Sequence, residues 1–120
     1  MEILEMTGTA KTPALRFDPK SGNMEISGRA LADDAARFFK PVSEWVSEYA
    51  KSPQRSTLLT FKLEYLNNAS SKAILDILGG LEKIHGARVL WYFHDEDEDM
   101  EESGEELAEL VKIPFEFRSY

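Results

Sequence analysis

The segment NNASSK (residues 67–72) holds the side chains whose types and spacing are best suited to chemistry. It follows a strand-like pattern and precedes a helical one within LEYLNNASSKAILDIL (63–78). Hydroxyl and amide side chains at such a junction lie beside the free N–H groups of a helix N-terminus, where the helix dipole favours an anion. A phosphate on a serine here would be electrostatically favoured, and a partner protein could sense it. The pattern therefore predicts a docking site that phosphorylation could control.

The same segment also suits an ordinary helix cap. Asn68 or Ser70 could accept a hydrogen bond from a backbone N–H of the first turn, as N-cap residues commonly do. Two features exceed the needs of one cap, since Lys72 could pair with an anion and the segment has two adjacent hydroxyls. The candidate phosphorylation sites are Ser70 and Ser71, and the candidate partner-binding residues are Asn67, Asn68, Ala69, Ser70 and Lys72.

The first half of the chain predicts a β-hairpin and a helix. Ala14–Asp18 and Met24–Gly28 are strand-like runs on either side of a PKSGN turn. In ADDAARFFKPVSEWVSEYAKS, apolar residues recur at helical spacing behind a capping Asp33 or Asp34. Pro41 lies inside that pattern and predicts a kink or two abutting helices, because proline removes a helical hydrogen bond.

The second half predicts strands that alternate with helices. STLLTFKLEYL predicts a strand with Phe61, Leu63 and Tyr65 on one face. The almost continuously apolar run RVLWYFH (88–94) predicts a central strand buried on both faces. The remaining patterns predict a helix over about 70–85 whose Gly79-Gly80 packs against the sheet, a helix over about 101–112 and a strand over about 115–117.

Together these elements predict an α/β fold in which one mixed β-sheet has helices packed on it. The strand–helix–strand order between residues 60 and 94 predicts a right-handed crossover between parallel strands. A chain of 120 residues can build one core and has no room for a second. Residues 1–120 are therefore predicted to form a single domain.

Composition and charge argue against several classes of function. The chain has no cysteine, and neither a signal peptide nor a membrane-spanning run is visible, which predicts a cytoplasmic protein. Ten of the 22 acidic residues lie between positions 95 and 109, where there is no Lys or Arg. The remaining 12 acids and the 14 bases give the rest of the chain a charge of about +2. No clustered basic face is visible, so nucleic acid is not an expected partner.

Catalytic and metal-binding patterns are weak. His85 and His94 stand apart, and no nucleophile elbow, phosphate-binding glycine loop or HExxH motif occurs. Counting Asp95 as the first residue of an EF-hand loop puts acids at ligand positions, but Met100 occupies the position that needs glycine. The sequence predicts a protein that is not an enzyme and holds no cofactor, with an acidic-loop calcium-binding protein as a less favoured alternative.

Three segments resemble the SiaC family of small bacterial regulatory phosphoproteins. TAKTPALRFDPKSGNMEISGR (9–29) is similar to the family's T-x-x-T-P hairpin, and FFKPVSEWVSEY (38–49) is similar to its F-x-x-P-x-x-x-W helix. LEYLNNASSKAILDILGGLEKIHG (63–86) is similar to the family's strand, turn and helix. Together the segments span most of the chain in the family's order.

The resemblance implies a non-enzymatic signalling adaptor whose fold is like the STAS domain of anti-sigma-factor antagonists. It also implies three kinds of partner, namely a protein kinase that phosphorylates the turn, a Ser/Thr phosphatase that reverses this, and an output protein such as a diguanylate cyclase. The unmodified form would bind and activate the output protein. In some members this role is connected to cyclic di-GMP and biofilm formation.

The chain departs from the family at the phosphorylated position. Members usually read Y-[FL]-N-T-S-S, so the resemblance places the acceptor threonine where this chain has Asn68, which cannot be phosphorylated. Either the acceptor has moved to Ser70 or Ser71, or the protein is a constitutive interaction module without the switch. Ser70 is preferred because it lies nearest the predicted helix N-terminus. A second departure lies at Ala30–Asp34, where the family usually has a segment like S-x-P-E-N.

Overall fold

Six strands form one mixed sheet, and the computed structural model describes residues 1–120. The sheet order follows the chain order, with antiparallel pairing from the first to the third strand and parallel pairing from the third to the sixth. The predicted fold class, hairpin and parallel crossover are confirmed. The elements are β1 (Leu4–Met6), β2 (Ala14–Phe17), β3 (Asn23–Ala30), α1 (Ala35–Tyr49), β4 (Thr57–Leu66), α2 (Asn68–Leu81), β5 (Ala87–Phe93), α3 (Glu98–Leu110) and β6 (Phe115–Ser119).

All three helices cover the same face of the sheet. Each parallel crossover moves one strand further in the same direction, so right-handed crossovers place every connecting helix on one side. Ile26, Phe61 and Trp91 lie side by side on the covered face and are fully buried. The predicted burial of β5 on both faces is wrong. Arg88 is exposed and Tyr92 is half-buried, because no helix covers the second face.

Helix α1 is one continuous helix that contains Pro41. The side chain of Asp34 caps it by accepting a hydrogen bond from the N–H of Arg37 at 3.2 Å. Pro41 lies on the exposed side of the helix, where water can hydrate the Arg37 carbonyl that has no helical donor. The prediction of two abutting helices is therefore wrong.

Helices α2 and α3 both begin earlier than predicted. Helix α2 covers 68–81 instead of 70–85, and α3 starts at Glu98 because Asp97 caps it. A Cβ on Gly80 would lie 3.2 Å from Cγ1 of Val46 in α1, whereas one on Gly79 would meet nothing within 4 Å. Gly80 thus permits close packing between helices, not the predicted packing against the sheet. None of the helices is both long and apolar enough to cross a membrane.

The end of β4 departs from simple alternation. The pairing of β3 with β4 shifts after Gly28, so that Leu63 is opposite Gly28 and Tyr65 is opposite Arg29. Glu64 is the extra residue of this bulge. The prediction that Tyr65 shares the face of the buried β4 residues is wrong, since the bulge turns the strand end and leaves Tyr65 51% exposed.

Candidate docking site

Asn67 joins β4 to α2 and fixes the first turn of the helix. Its Oδ1 accepts a hydrogen bond from the N–H of Ser70 at 2.8 Å, and its Nδ2 donates to the Ala32 carbonyl at 3.2 Å. Its backbone N–H donates to the Ala30 carbonyl at 3.0 Å. Asn67 is therefore the N-cap, which corrects the prediction that Asn68 or Ser70 caps the helix. These bonds also connect segment 67–72 to the end of β3 and to the residues that follow it.

The first residues of α2 present free donors to solvent. Asn68 and Ala69 are exposed, and their N–H groups precede the first helical hydrogen bond and have no other partner in the chain. The first turn has no acidic residue, so the positive end of the dipole is not neutralised by its own side chains. The exposed ammonium of Lys72 takes part in none of the ion pairs of the chain. This end of α2 therefore offers an anion two amides and an unpaired cation.

Ser70 and Ser71 lie in different environments. Ser70 is fully buried, and its Oγ has no hydrogen-bond partner. Ser71 is half-buried. The side chain of Ser71 is thus partly accessible in this conformation, whereas that of Ser70 is enclosed. The sequence favours Ser70 as the acceptor because it predicts a helix that starts at residue 70. The helix starts at Asn68 instead and turns Ser70 into the core.

A groove of about 330 Å³ opens between the N-terminal halves of α1 and α2. Ala69 and Lys72 line it, so segment 67–72 forms one of its walls. Phe39 and Ala73 contribute to its apolar lining. Three carboxylates also line the groove, those of Asp33, Asp34 and Asp76, and Lys72 is the only basic residue in the lining.

The exposed Tyr65 and the half-buried Arg29 form a second feature beside the segment. The guanidinium carbon of Arg29 lies 4.6 Å from the centre of the Tyr65 ring, and its Nε donates to the Ala10 carbonyl at 2.7 Å. Simple alternation along β4 places Tyr65 in the core, so the sequence pattern did not predict that Tyr65 is exposed and contacts Arg29. The sequence signal that could have indicated the bulge is Gly28, because glycine within a strand often marks one. In the structure Gly28 has a φ of +99° beside the register shift.

The acidic run forms a helix and not a calcium loop. Residues Glu98–Leu110 are helical, and the Asp97 side chain caps them by accepting from the N–H of Met100 at 3.0 Å. EF-hand ligands come from a loop that wraps around the ion, and no three acidic or histidine side chains are placed to hold a metal ion. His94 belongs to the same turn, where its Nδ1 accepts from the N–H of Glu96 at 3.2 Å. The EF-hand loop that the spacing of these acids suggested is therefore not formed, because most of the run is helical.

The chain is similar to proteins of one family over nearly its whole length. The model of the SiaC family of regulatory phosphoproteins matches residues 6–120. An uncharacterized protein of Pseudomonas aeruginosa (strain UCBPP-PA14) is 32% identical over 124 residues, which cover 100% of this chain and 98% of that protein. The crystal structure of apo-SiaC from P. aeruginosa gives a TM-score of 0.91 at 30% identity and covers 99% of this chain and 100% of that one. The crystal structure of the diguanylate cyclase SiaD in complex with its activator SiaC, also from P. aeruginosa, contains a chain that gives 0.90 at 30% identity, covering 98% of this chain and 99% of that one.

Proposed function

The chain belongs to the SiaC family of regulatory phosphoproteins, and on that basis we propose that it is a non-enzymatic adaptor in bacterial signalling. The supporting comparison is SiaC of P. aeruginosa, which was crystallised as the activator of the diguanylate cyclase SiaD. By analogy, this adaptor binds and activates an output protein such as a diguanylate cyclase in the cytoplasm. It would thereby control cyclic di-GMP and biofilm formation.

The proposed docking surface is segment 67–72 together with the groove between α1 and α2. The groove accepts apolar side chains, and the start of α2 accepts a carboxylate, because its N–H groups at Asn68 and Ala69 are free and Lys72 is unpaired. The output protein would therefore present apolar side chains to the groove, an acidic residue to the start of α2, and no acidic residue to the carboxylates of Asp33, Asp34 and Asp76. The observation that supports this surface best is the exposed first turn of α2, which has no acidic residue of its own.

Ser71 is the proposed site of the switch. A protein kinase would transfer the γ-phosphoryl group of ATP to its Oγ, which forms a new O–P bond, releases ADP and gives up the hydroxyl proton. The phosphate would add about −1.5 to −2 charges to the first turn of α2, next to Lys72 in the sequence but outside the lining of the groove. Repulsion and desolvation would then oppose docking while the fold stays intact, and a Ser/Thr phosphatase would restore it. Ser70 could be phosphorylated only after the first turn of α2 opens, because its Oγ is buried.

A constitutive interaction module without a switch is the second candidate function. Asn68 is exposed at the position where the family resemblance places the acceptor threonine, and Ala69 follows it. Neither side chain can be phosphorylated. In this case the start of α2 would be permanently competent to bind the output protein.

Mass spectrometry distinguishes the two candidates. We expect intact protein from its own host to carry one phosphate, which peptide mapping of residues 63–83 places on Ser71. Ser71→Ala should abolish the modification, whereas Ser70→Ala should retain it. Protein that stays unmodified after incubation with its host's kinase and ATP would favour the constitutive module.

Binding to a purified diguanylate cyclase from the same host tests the docking surface. Lys72→Ala and Ser71→Glu should each weaken the complex about tenfold, because each removes or opposes the attraction for a partner carboxylate. Lys83→Ala, at an exposed site outside the groove and beyond the C-terminal end of α2, is the control. If the cyclase binds all variants equally, the docking surface lies elsewhere.

A further inference from the structure

Strand β6 is one edge of the sheet, and β5 is its one neighbour. The N–H of Tyr120 donates to the Phe93 carbonyl at 3.0 Å, and the Pro114 carbonyl accepts from the N–H of Val89 at 3.0 Å. Backbone groups alternate in direction along a strand, so the even-numbered residues between 114 and 120 face β5. The backbone N–H and C=O groups that point outwards therefore belong to Phe115, Phe117 and Ser119.

The usual protections of an edge strand are weak at β6. Strand β1 at the opposite edge has three residues, whereas β6 has five, and short edges resist pairing. Helix α3 packs mainly over β4 and β5, where Nε1 of Trp91 donates to the Met100 carbonyl at 3.0 Å. Phe115 and Phe117 remain half-buried on the covered face. Strand β6 is thus an open edge with apolar side chains on one face and charged ones on the other.

We propose that β6 pairs in antiparallel fashion with β6 of a second copy of this chain, about a two-fold axis at Phe117. In this register the outward groups of Phe117 bond those of the partner's Phe117, and Phe115 is opposite the partner's Ser119. All the outward backbone groups of β6 then have partners. The two sheets become one, and the self-complementary contact closes as a dimer instead of extending into a fibre.

The charges of β6 favour this register. Oε2 of Glu116 accepts a hydrogen bond from Nε of Arg118 at 2.6 Å, and this bond raises the pKa of Arg118. Pairing about Phe117 puts Glu116 opposite the partner's Arg118, at a position where facing side chains approach most closely. Moving the axis to residue 116 or 118, or pairing the strands in parallel and in register, would place like charges opposite each other.

Sedimentation velocity of the full chain over a wide range of concentration tests the dimer. At an ionic strength of about 0.15 M, charges more than about 8 Å apart are largely screened, which limits repulsion between the acidic α3 helices. We expect concentration-dependent association that stops at the dimer. A monomer at every concentration would overturn the proposal, and so would larger assemblies.

Charge reversal tests the register. Glu116→Arg and Arg118→Glu should each weaken the dimer about tenfold, because like charges then face each other on both sides of the axis. An equimolar mixture of the two variants should form a heterodimer with nearly wild-type affinity. Both variants have lost the pair within their own strand, so recovery in the mixture can come only from contacts between copies. A mixture that stays as weak as its components would contradict the register.

Ser119→Pro tests the backbone contact. Proline removes an outward N–H that β5 does not use, so the sheet should stay intact while the dimer is lost. Ser119→Ala is the matched control and should dimerise normally, with circular dichroism to confirm the fold of both variants. A Ser119→Pro protein that dimerises like the wild type would overturn the proposal. Lys72→Ala should not affect the dimer, which separates this test from that of the docking surface.

Discussion

Helices α2 and α3 begin in the same way but carry different charges in their first turns. Each follows a parallel strand and has a capping side chain: Asn67 accepts from the N–H of Ser70 at 2.8 Å, and Asp97 accepts from the N–H of Met100 at 3.0 Å. The first turn of α3 contains three acidic residues, whereas that of α2 contains none. Helix α3 therefore neutralises its own dipole, and α2 leaves its N-terminus to an external anion. The capping residue thus determines where a helix starts, and the charge of the first turn determines whether that helix N-terminus can bind an external anion.

The third residue of each helix shows a second difference. Met100 of α3 is buried, and its carbonyl accepts a hydrogen bond from Nε1 of Trp91, which fixes the helix to β5. Ser70 of α2 is also buried, but its Oγ has no partner. An unsatisfied buried hydroxyl is destabilising. We therefore expect the first turn of α2 to open more readily than that of α3.

The largest effect should come from breaking the contact of α3 with the sheet. A Cβ on Gly104 would lie 2.5 Å from Nε1 of Trp91, so Gly104→Ala should lower the free energy of unfolding by about 1–3 kcal/mol or more through overpacking. Gly79→Ala in α2 is the control, because a Cβ there meets nothing within 4 Å. It should raise stability by roughly 1 kcal/mol through helix propensity. Chemical denaturation measures both, and equal effects would contradict this difference between the helices.

Removing the two caps should give the next largest effect. Asn67→Ala removes the cap and the bond to Ala32, so it should lower the free energy of unfolding by about 2 kcal/mol. Asp97→Ala removes the cap alone and should lower it by about 1 kcal/mol. Urea denaturation compares them. A larger loss for Asp97→Ala would show that the bond to Ala32 contributes little.

Ser70→Ala tests the unsatisfied hydroxyl. Its removal should raise the free energy of unfolding by about 1 kcal/mol, because the folded protein then no longer buries a polar group without a hydrogen-bond partner. Ser71→Ala is the control and should stay within about 0.5 kcal/mol of the wild type. Thermal and urea unfolding give the comparison. A destabilised Ser70→Ala protein would mean that the hydroxyl has a partner in solution, such as a bound water.

The smallest effect on stability should come from giving α2 the first-turn charge of α3. Ala69→Glu puts a carboxylate at the exposed start of α2 and should raise the free energy of unfolding by about 0.3–1 kcal/mol at low salt. The same change should weaken binding of the output protein, because the carboxylate occupies the site of the external anion. Ala69→Gln is the control, because glutamine has nearly the size of glutamate but carries no charge. Unchanged cyclase binding by Ala69→Glu would contradict the proposed role of this helix start.

Much of the fold was predictable because its signals are local. Alternating residues predicted β4, helical spacing predicted α1 and α2, and the order of elements predicted a parallel crossover, which the register of β4 with β5 confirms. The exact start of α2 was not predictable, since Asn67, Asn68 and Ser70 are all competent caps. Asn67 acts as the cap because its backbone also bonds Ala30 at the end of β3 and its side-chain amide bonds Ala32 just beyond it.

The local pattern of residues was sufficient for the identity and order of the strands and helices from β2 to β6, and it singled out segment 67–72 as the candidate site. Contacts between distant parts of the chain were needed for the rest. A bulge opposite Gly28 exposes Tyr65. The start of α2 encloses Ser70 and leaves Ser71 half-buried. Three crossovers in one direction leave the second face of the sheet uncovered. Periodicity records which residues share a side of their own element, whereas burial and access depend on what packs against that side.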